Sequence, residues 1–311
     1  MEPGDATRFI INMAAKAGLD DCGIAPAIPV PTDRSTYESY LKAGMNSDMD
    51  YLSDTIEQRF NPDALLPGVK NVVVCLSAYK SSMPGYSARP ANRAFISRYA
   101  WGRDYHVVVL QHLLALIDMV KPVIGGNYLP FVDIGPIFEK AYAEKAGLGF
   151  IGKNTLLIHP VYGSFVFLGV LLTDLDLEST PQKSKHACNL CTKCIDACPV
   201  GALQPFSLNA NKCIGHLNNM YRGSLKGFNP QANIFGCDIC QDACPYNKFA
   251  AKKDESPFLP EHDYNRFPDP DFLQGLSNRG VRKAFYETPV AIQRPKKLKE
   301  IARIIAEESN Q

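Results

Sequence analysis

The sequence predicts two unlike units in one chain: a mixed α/β (α+β) unit over residues 1–178 and a small cysteine-rich unit over residues 179–250, followed by a C-terminal extension over residues 251–311. Three observations predict this. Eight of the ten cysteines fall between Cys188 and Cys244, so one part of the chain is specialised. Helix-like and strand-like patterns alternate up to about residue 176 and then stop. Between the two regions, ESTPQKSKHA (178–187) is polar and turn-prone, as a boundary should be.

Residues 5–17 (DATRFIINMAAKA) carry apolar residues at helical spacing behind an Asp, an amphipathic helix. NVVVCLSAY (71–79) is one continuous apolar run, a strand buried on both faces. YHVVVLQHLLALIDMV (105–120) reads as a helix, and Tyr128–Val132 as a short strand ending at Asp133. IFEKAYAEKAG (137–147) is a helix stopped by Gly147. TLLIHPVYGSFVFLGVLLTDL (155–175) suggests two strands joined by a Pro-x-x-Gly turn. The Pro- and Asp-rich stretch after Cys244 reads as irregular, and KKLKEIARIIAEES as a final helix. Cys22 and Cys75 lie in apolar contexts and are expected in the core.

At 311 residues, 46% hydrophobic and 21% charged, the chain has the composition of a soluble globular protein with room for two domains. No uninterrupted apolar run reaches membrane-spanning length, and no apolar export signal is evident in MEPGDATRFI, so a cytoplasmic protein is expected. The net charge of +1 gives no bulk attraction for nucleic acid. Any such contact needs a local patch, and Arg282, Lys283, Arg294, Lys296, Lys297 and Lys299 form one candidate; a solvated helix face is the alternative.

The cysteines read Cys188-x2-Cys191-x2-Cys194-x3-Cys198-Pro199, then Cys213, then Cys237-x2-Cys240-x3-Cys244-Pro245. Three cysteines at two-residue spacing cap one corner set of a cubane. The cysteine before proline points away and serves the other cluster, as in bacterial 2x[4Fe-4S] ferredoxin-like units. On this pattern Cys188, Cys191, Cys194 and Cys244 hold one [4Fe-4S] cluster, and Cys198, Cys213, Cys237 and Cys240 hold the second. Structural zinc prefers paired knuckles, and disulfides need an oxidising compartment. A chain with two such centres handles electrons singly. What receives them is left open by the residues: the one G-x-G-x-x-G match, Gly147 to Gly152, follows a helix, the reverse of dinucleotide-binding order. No D-x-H-x-x-G stretch for a histidine-ligated cobalamin occurs either.

The residues from Asp133 to Ser164 narrow the choice. Asp133-Ile-Gly-Pro136, the run Glu144 to His159 and Gly163-Ser164, together with Arg59-Phe-Asn-Pro62, Arg98-Tyr-Ala-Trp-Gly-Arg-Asp-Tyr-His106 and Asn233 to Pro245, resemble the epoxyqueuosine reductases over nearly all of residues 5–250. One departure is that many family members continue into HEAT-like helical repeats. The resemblance implies a cobalamin-binding first domain, with the cofactor base-off. It implies reduction of epoxyqueuosine to queuosine at the wobble position of a tRNA anticodon loop, the last step of queuosine biosynthesis. An external electron donor, a monomer and no membrane go with that reading. Two rivals remain: a corrinoid and iron–sulfur reductase of a free small molecule, like reductive dehalogenases, and a non-enzymatic electron carrier.

By the same resemblance Asp133 is the general acid and a cofactor contact. From its neighbours alone the favoured reading is an Asp that ends a strand and caps a helix beginning at Pro136, and the resemblance reverses that preference. Acting as an acid requires burial to raise its pKa, and FVDIGP supplies an apolar setting. Arg59, Lys153, Asn154, His159 and Ser164 are candidates to bond the corrin's amides or its nucleotide loop. Tyr99, Asp104, Tyr105 and His106 form a second polar group, with Tyr99 a further cofactor candidate, and Asp238 and Ile239, between two cluster ligands, are cofactor candidates where the cluster could face the corrin. His106 and His159 could equally be ordinary hydrogen-bonded histidines. The insert between Cys213 and Cys237, with Tyr221, Arg222 and Lys226, is either a lip for an RNA loop or a cover over the second cluster.

Overall fold

The apolar run at 71–79 folds as a central strand. The computed structural model describes residues 1–181 and 187–309. Four strands, β1 (Asp21–Pro26), β2 (Asn71–Ala78), β3 (Tyr128–Phe131) and β4 (Val166–Thr173), stand in the order β1-β2-β4-β3, and every neighbouring pair is antiparallel. Helices α1 (Pro3–Lys16) and α2 (Tyr105–Ile124) cover one face, where Ile10, Val109 and Leu113 join Val73, Cys75 and Leu171. Helix α3 (Glu139–Lys145) covers the other, where Tyr142 and Ala146 join Val72, Val74 and Leu76. Side chains of β2 alternate between the two clusters, and both are dry, so the strand shows no polar alternation. Cys22 and Cys75 are buried cross-strand partners in this core.

Several expectations change at element edges. β1 and a helix at Arg34–Lys42 were not foreseen from sequence; β1 is short, and the helix buries no residue. α2 runs four residues longer than expected, through Pro122. It is long and apolar enough by composition to cross a membrane, yet Val108, Val109, Leu113, Leu116 and Val120 are buried against the sheet. The expected hairpin over 155–175 does not form. Leu157–Ile158 pairs with Phe150–Ile151, and β4 joins the main sheet. Gly149 belongs to that small hairpin: a Cβ there would stand 2.3 Å from the Ile158 carbonyl oxygen, so the G-x-G-x-x-G match marks close backbone approach. The boundary stretch 178–187 lies partly outside the described residues. Thr180 still docks on β1, its backbone N–H bonding the Ile24 carbonyl at 3.0 Å.

A second core lies beyond the sheet. Phe95, Ile96 and Trp101 pack with Ile234, Phe235 and Phe285, and with Leu298 and Ile301 of the terminal helix α4 (Pro295–Ser309). Phe95–Ile96 also pairs in parallel with Asn233–Phe235. The basic run at the C-terminus divides accordingly. Lys297 is buried and donates to the carbonyls of Asn219 and Tyr221, and Lys299 donates to Leu276 O at 2.8 Å. Only Arg282, Lys283, Arg294 and Lys296 remain exposed, so the six residues are not one free patch.

The joint between the two cores is ionic. Asp238 is fully buried; Ser97 Oγ donates to its Oδ1, and Arg98 N donates to its Oδ2 at 2.8 Å. The Arg98 guanidinium lies 3.4 Å from the same oxygen and 2.6 Å from Asp242. Burial pushes the Asp238 carboxyl above the ordinary range, against the pull of Arg98. Removing the cation strands a buried charge. We expect Arg98→Ala to lower the unfolding free energy by about 3–5 kcal/mol, read from urea denaturation; a change within experimental error would show that the pair does not hold the joint.

Candidate functional site

Two cavities and a cleft lie in a row. The first cavity, about 220 Å³, is lined by Cys188, Cys191, Cys194 and Cys244, with Lys153, Asn154 and Tyr246. The second, about 270 Å³, is lined by Cys198, Cys213, Cys237 and Cys240, with Tyr99, Asn154, Thr155 and Ile239. The interleaved pattern thus brings each quartet around its own space. The residues fit cubanes in further ways. Each quartet surrounds a volume of its own. Backbone N–H groups point at sulfur, Lys153 N at Cys188 Sγ and Ala202 N at Cys198 Sγ, both 3.4 Å. Asn154 Nδ2, in the wall both cavities share, is buried with no hydrogen-bond partner, a donor free for a cluster sulfur.

The cleft, about 480 Å³, is lined by Tyr37, Tyr51, Arg59, Asp133, Phe138, Glu139, Lys140, Thr155 and Phe206 among others. Thr155 lines both the cleft and the second cavity. Asp133, Thr155 and Phe206 all have positive φ, at 63°, 65° and 61°. For a β-branched and an aromatic residue that is strain of about 1–3 kcal/mol each, concentrated at one opening. Such strain persists where surrounding structure over-determines it, which is common at ligand sites.

Asp133 does not cap a helix. α3 begins only at Glu139, and Glu139 Oε1 instead accepts from the Asp133 backbone N–H at 2.7 Å. The side chain is 56% exposed at the cleft mouth, and Tyr105 Oη donates to its Oδ2 at 2.5 Å. His106 Nε2 lies 3.3 Å from the same oxygen, and His106 Nδ1 lies 2.7 Å from Asp104 Oδ1. Tyr105 is held flat on Phe167 at 4.4 Å between ring centroids, and it stacks on His106 at 4.0 Å. Desolvation pulls the Asp133 pKa up, but the bonds from His106 and Tyr105 outweigh it and hold the carboxyl below the ordinary value. The expected upward shift is therefore reversed: the apolar sequence context does not surround the carboxylate, while two donors do. Burial lowers the His106 pKa, yet hydrogen bonds to Asp104 and Asp133 more than reverse this, to about 9. Burial, then the neighbouring Asp133 charge, raises Glu139 to about 8.

The other candidates divide by location. Arg59 shares the cleft with Asp133, buried with its guanidinium over the Phe138 ring at 5.9 Å. Tyr99, Asn154 and Ile239 line the second cavity, and Lys153 the first, with Nζ on Asn189 O at 2.8 Å. His159, Ser164 and Asp238 face neither the cavities nor the cleft. His159 binds Asp21 and the backbone of Val161 and Tyr162; Ser164 bonds Gln241 and Asn247; Asp238 pairs with Arg98. Their polar atoms are already satisfied by protein, so these three hold the scaffold. The insert between Cys213 and Cys237 packs largely on the second core: Asn218 brackets Gly236 through both its side-chain atoms, and Leu225 is buried with Phe235, while Arg222 and Lys226 stay exposed. Sequence reasoning missed Glu139, Lys140 and Thr155 as cleft residues. Nothing in a helix of mixed charge separates Glu139 and Lys140 from surface positions, and the signal at Thr155 is backbone strain, which is structural.

Comparison with known proteins agrees with this layout. Residues 59–134 match the family described as epoxyqueuosine reductase QueG, DUF1730, and residues 187–247 match a 4Fe-4S double cluster binding domain. The chain is 36% identical over 277 residues to an epoxyqueuosine reductase of Leadbetterella byssophila, covering 86% of this chain and 88% of that protein. It is 32% identical to one of Pseudomonas aeruginosa, covering 92% and 83%. A crystal structure of epoxyqueuosine reductase with an epoxyqueuosine-modified tRNA-Tyr stem loop superposes with a TM-score of 0.84 at 29% identity, over 98% of this chain and 82% of that one. The Bacillus subtilis enzyme, with its catalytic Asp loop swung out of the active site, gives 0.83 at 29% identity over the same shares. With relatives of this identity matched over most of their length, and a double-cluster domain where the two quartets stand, the chain belongs to the epoxyqueuosine reductase family.

Proposed function

We propose that this chain reduces epoxyqueuosine to queuosine in the anticodon loop of tRNA, as the last step of queuosine biosynthesis. One observation carries the reading: a carboxylic acid, Asp133, stands at the mouth of a cleft whose wall, at Thr155, is also the wall of the second cysteine cavity. Electrons and a proton can then meet at one opening. The relative solved with an epoxyqueuosine-modified stem loop supports the substrate, and the relative with a catalytic Asp loop supports the role of Asp133. In this reading residues 1–178 bind cobalamin, residues 179–250 hold the two clusters and residues 251–311 brace them.

The cleft suits a corrin. Tyr37, Tyr51 and Phe138 offer ring faces, and Arg59, Lys140 and Asp133 offer polar contacts for its amide fringe. When bound, cobalamin supplies a metal centre that takes up electrons singly and makes a two-electron reduction possible. The chain's own residues do the rest. Tyr105 and His106 fix the Asp133 carboxylate from the N-terminus of α2, and Glu139 fixes its backbone from α3. The strained backbone holds that geometry before substrate arrives. Asp133 delivers a proton to the departing epoxide oxygen, which would otherwise leave as an alkoxide. Arg222 and Lys226, exposed on the insert between Cys213 and Cys237, are offered to the phosphates of the loop. A single chain carries the acid, the cleft and both quartets, so a monomer with an external one-electron donor suffices, working in the cytoplasm where its tRNA is.

The reading is tested by anaerobic reconstitution with iron, sulfide and cobalamin, incubation with reductant and epoxyqueuosine-containing tRNA, and nucleoside analysis; absence of queuosine from the digest rejects it. Asp133→Asn should retain iron and bound cobalamin but lose turnover by about 10²–10⁴-fold, the usual contribution of a positioned acid. Near-parental rates would remove Asp133 from the chemistry. Cys213→Ser should roughly halve the iron bound, because its quartet is separate from that of Cys188. Loss of all iron, or of none, contradicts two independent sites.

A further inference from the structure

The proposed reaction consumes two protons, and Asp133 can carry one. Both carbon–oxygen bonds of the epoxide break, one carbon–carbon double bond forms, two electrons enter from the external one-electron donor, and the oxygen leaves as water with two protons. The carboxyl must therefore be charged from a second group during turnover, and its own hydrogen bonds favour the ionised form.

The geometry around His106 identifies that group. Asp104 Oδ1 lies 2.7 Å from His106 Nδ1, and a carboxylate only accepts, so Nδ1 carries hydrogen. In a neutral ring Nε2 would then present a lone pair to Asp133 Oδ2, 3.3 Å away, acceptor against acceptor. The arrangement is satisfied only when a further proton sits between Nε2 and Asp133. Tyr105 Oη, the other donor to Oδ2, cannot supply it, because burial and then the Asp133 charge push that phenol far above its ordinary value. From α3, Glu139 and Lys140 also act on Asp133, but Glu139 bonds its backbone and Lys140 Nζ bonds Thr155 O at 2.8 Å. Tyr51 and Tyr99 feel the Asp133 charge without bonding the carboxylate, and Arg59 faces Ile137 O and Phe138.

We propose that His106 is the proton donor that recharges Asp133, and that Asp104 is a positioning residue that fixes the tautomer able to do it. The proton moves from His106 Nε2 to Asp133 Oδ2 and on to the epoxide oxygen, and solvent reprotonates the imidazole, which is 28% exposed. This rests on the reductase reading for its substrate, but its first test does not. With ¹⁵N-labelled histidine, the His106 ring, assigned by its loss in His106→Gln, should titrate near pH 9 in the parent chain and return toward about 6.5 in Asp104→Asn. A parent value in the ordinary range overturns the proposal, whatever the enzyme does.

The second test uses the reconstituted holoenzyme and saturating tRNA. In the parent, kcat should be flat from pH 6 to 8 and fall as pH rises through about 9, where His106 loses its proton. In His106→Gln, Asp133 must be protonated from solvent directly, so kcat should fall about tenfold per pH unit across 6–8, with KM for tRNA unchanged. Superimposable pH profiles would overturn the proposal while leaving the reductase reading intact. A parent enzyme inactive on the tRNA would defeat that reading instead, with the titration still deciding the state of His106.

Discussion

The buried pair of Arg98 and Asp238 is the contact on which the rest of the arrangement depends. Asp238 sits between two cysteines of the second quartet, so whatever fixes it fixes the turn that presents Cys237 and Cys240. Its partners, Ser97 and Arg98, begin a short stretch that continues through Trp101 to Asp104, Tyr105 and His106. Tyr105 and His106 contact Asp133, and Asp104 holds His106. A single ionic joint therefore sets the cluster loop and the acid relative to one another. Because a lone buried carboxylate is costly, that joint tolerates little slippage. The parallel bridge between Phe95–Ile96 and Asn233–Phe235, and the apolar cluster around Trp101, exclude water from it.

The sheet and the cleft divide the mechanical work. β2 is buried on both faces, and the helices packed there give α2 a rigid base. The N-terminus of α2 lies at the cleft, so Tyr105 and His106 project from a fixed element rather than a loop. The strain falls on residues lining that cleft: Asp133, Thr155 and Phe206 occupy conformations that cost energy and that only the packed surroundings hold. The same opening carries charges displaced from their ordinary titration ranges. His106 and Glu139 are both shifted up, so both keep a proton at neutral pH, while Asp133 between them is shifted down. Groups pushed apart in this way are the mark of acid–base work divided among neighbours.

Local patterns in the chain determined a good deal. The cysteine spacing divides the eight thiols into two groups, and the fold lines one cavity with each group. The long apolar run at 71–79 and the helical pattern from Tyr105 identified β2 and α2, since burial on both faces and on one face leave different periodicities. The motifs around Asp133, Arg59 and His106, in one chain with the cysteine block, pointed to the family. What tertiary structure decided is which polar side chains are free. His159, Ser164 and Asp238 read from sequence like ligands but are consumed by distant partners, Asp21, Asn247 and Arg98, and no local pattern reports a partner far along the chain. Asp133 looked buried among apolar neighbours and is instead half open and doubly hydrogen-bonded, because its charge state depends on residues arriving from another helix. Sequence carries local periodicity and spacing; desolvation and pairing are properties of the space that packing creates.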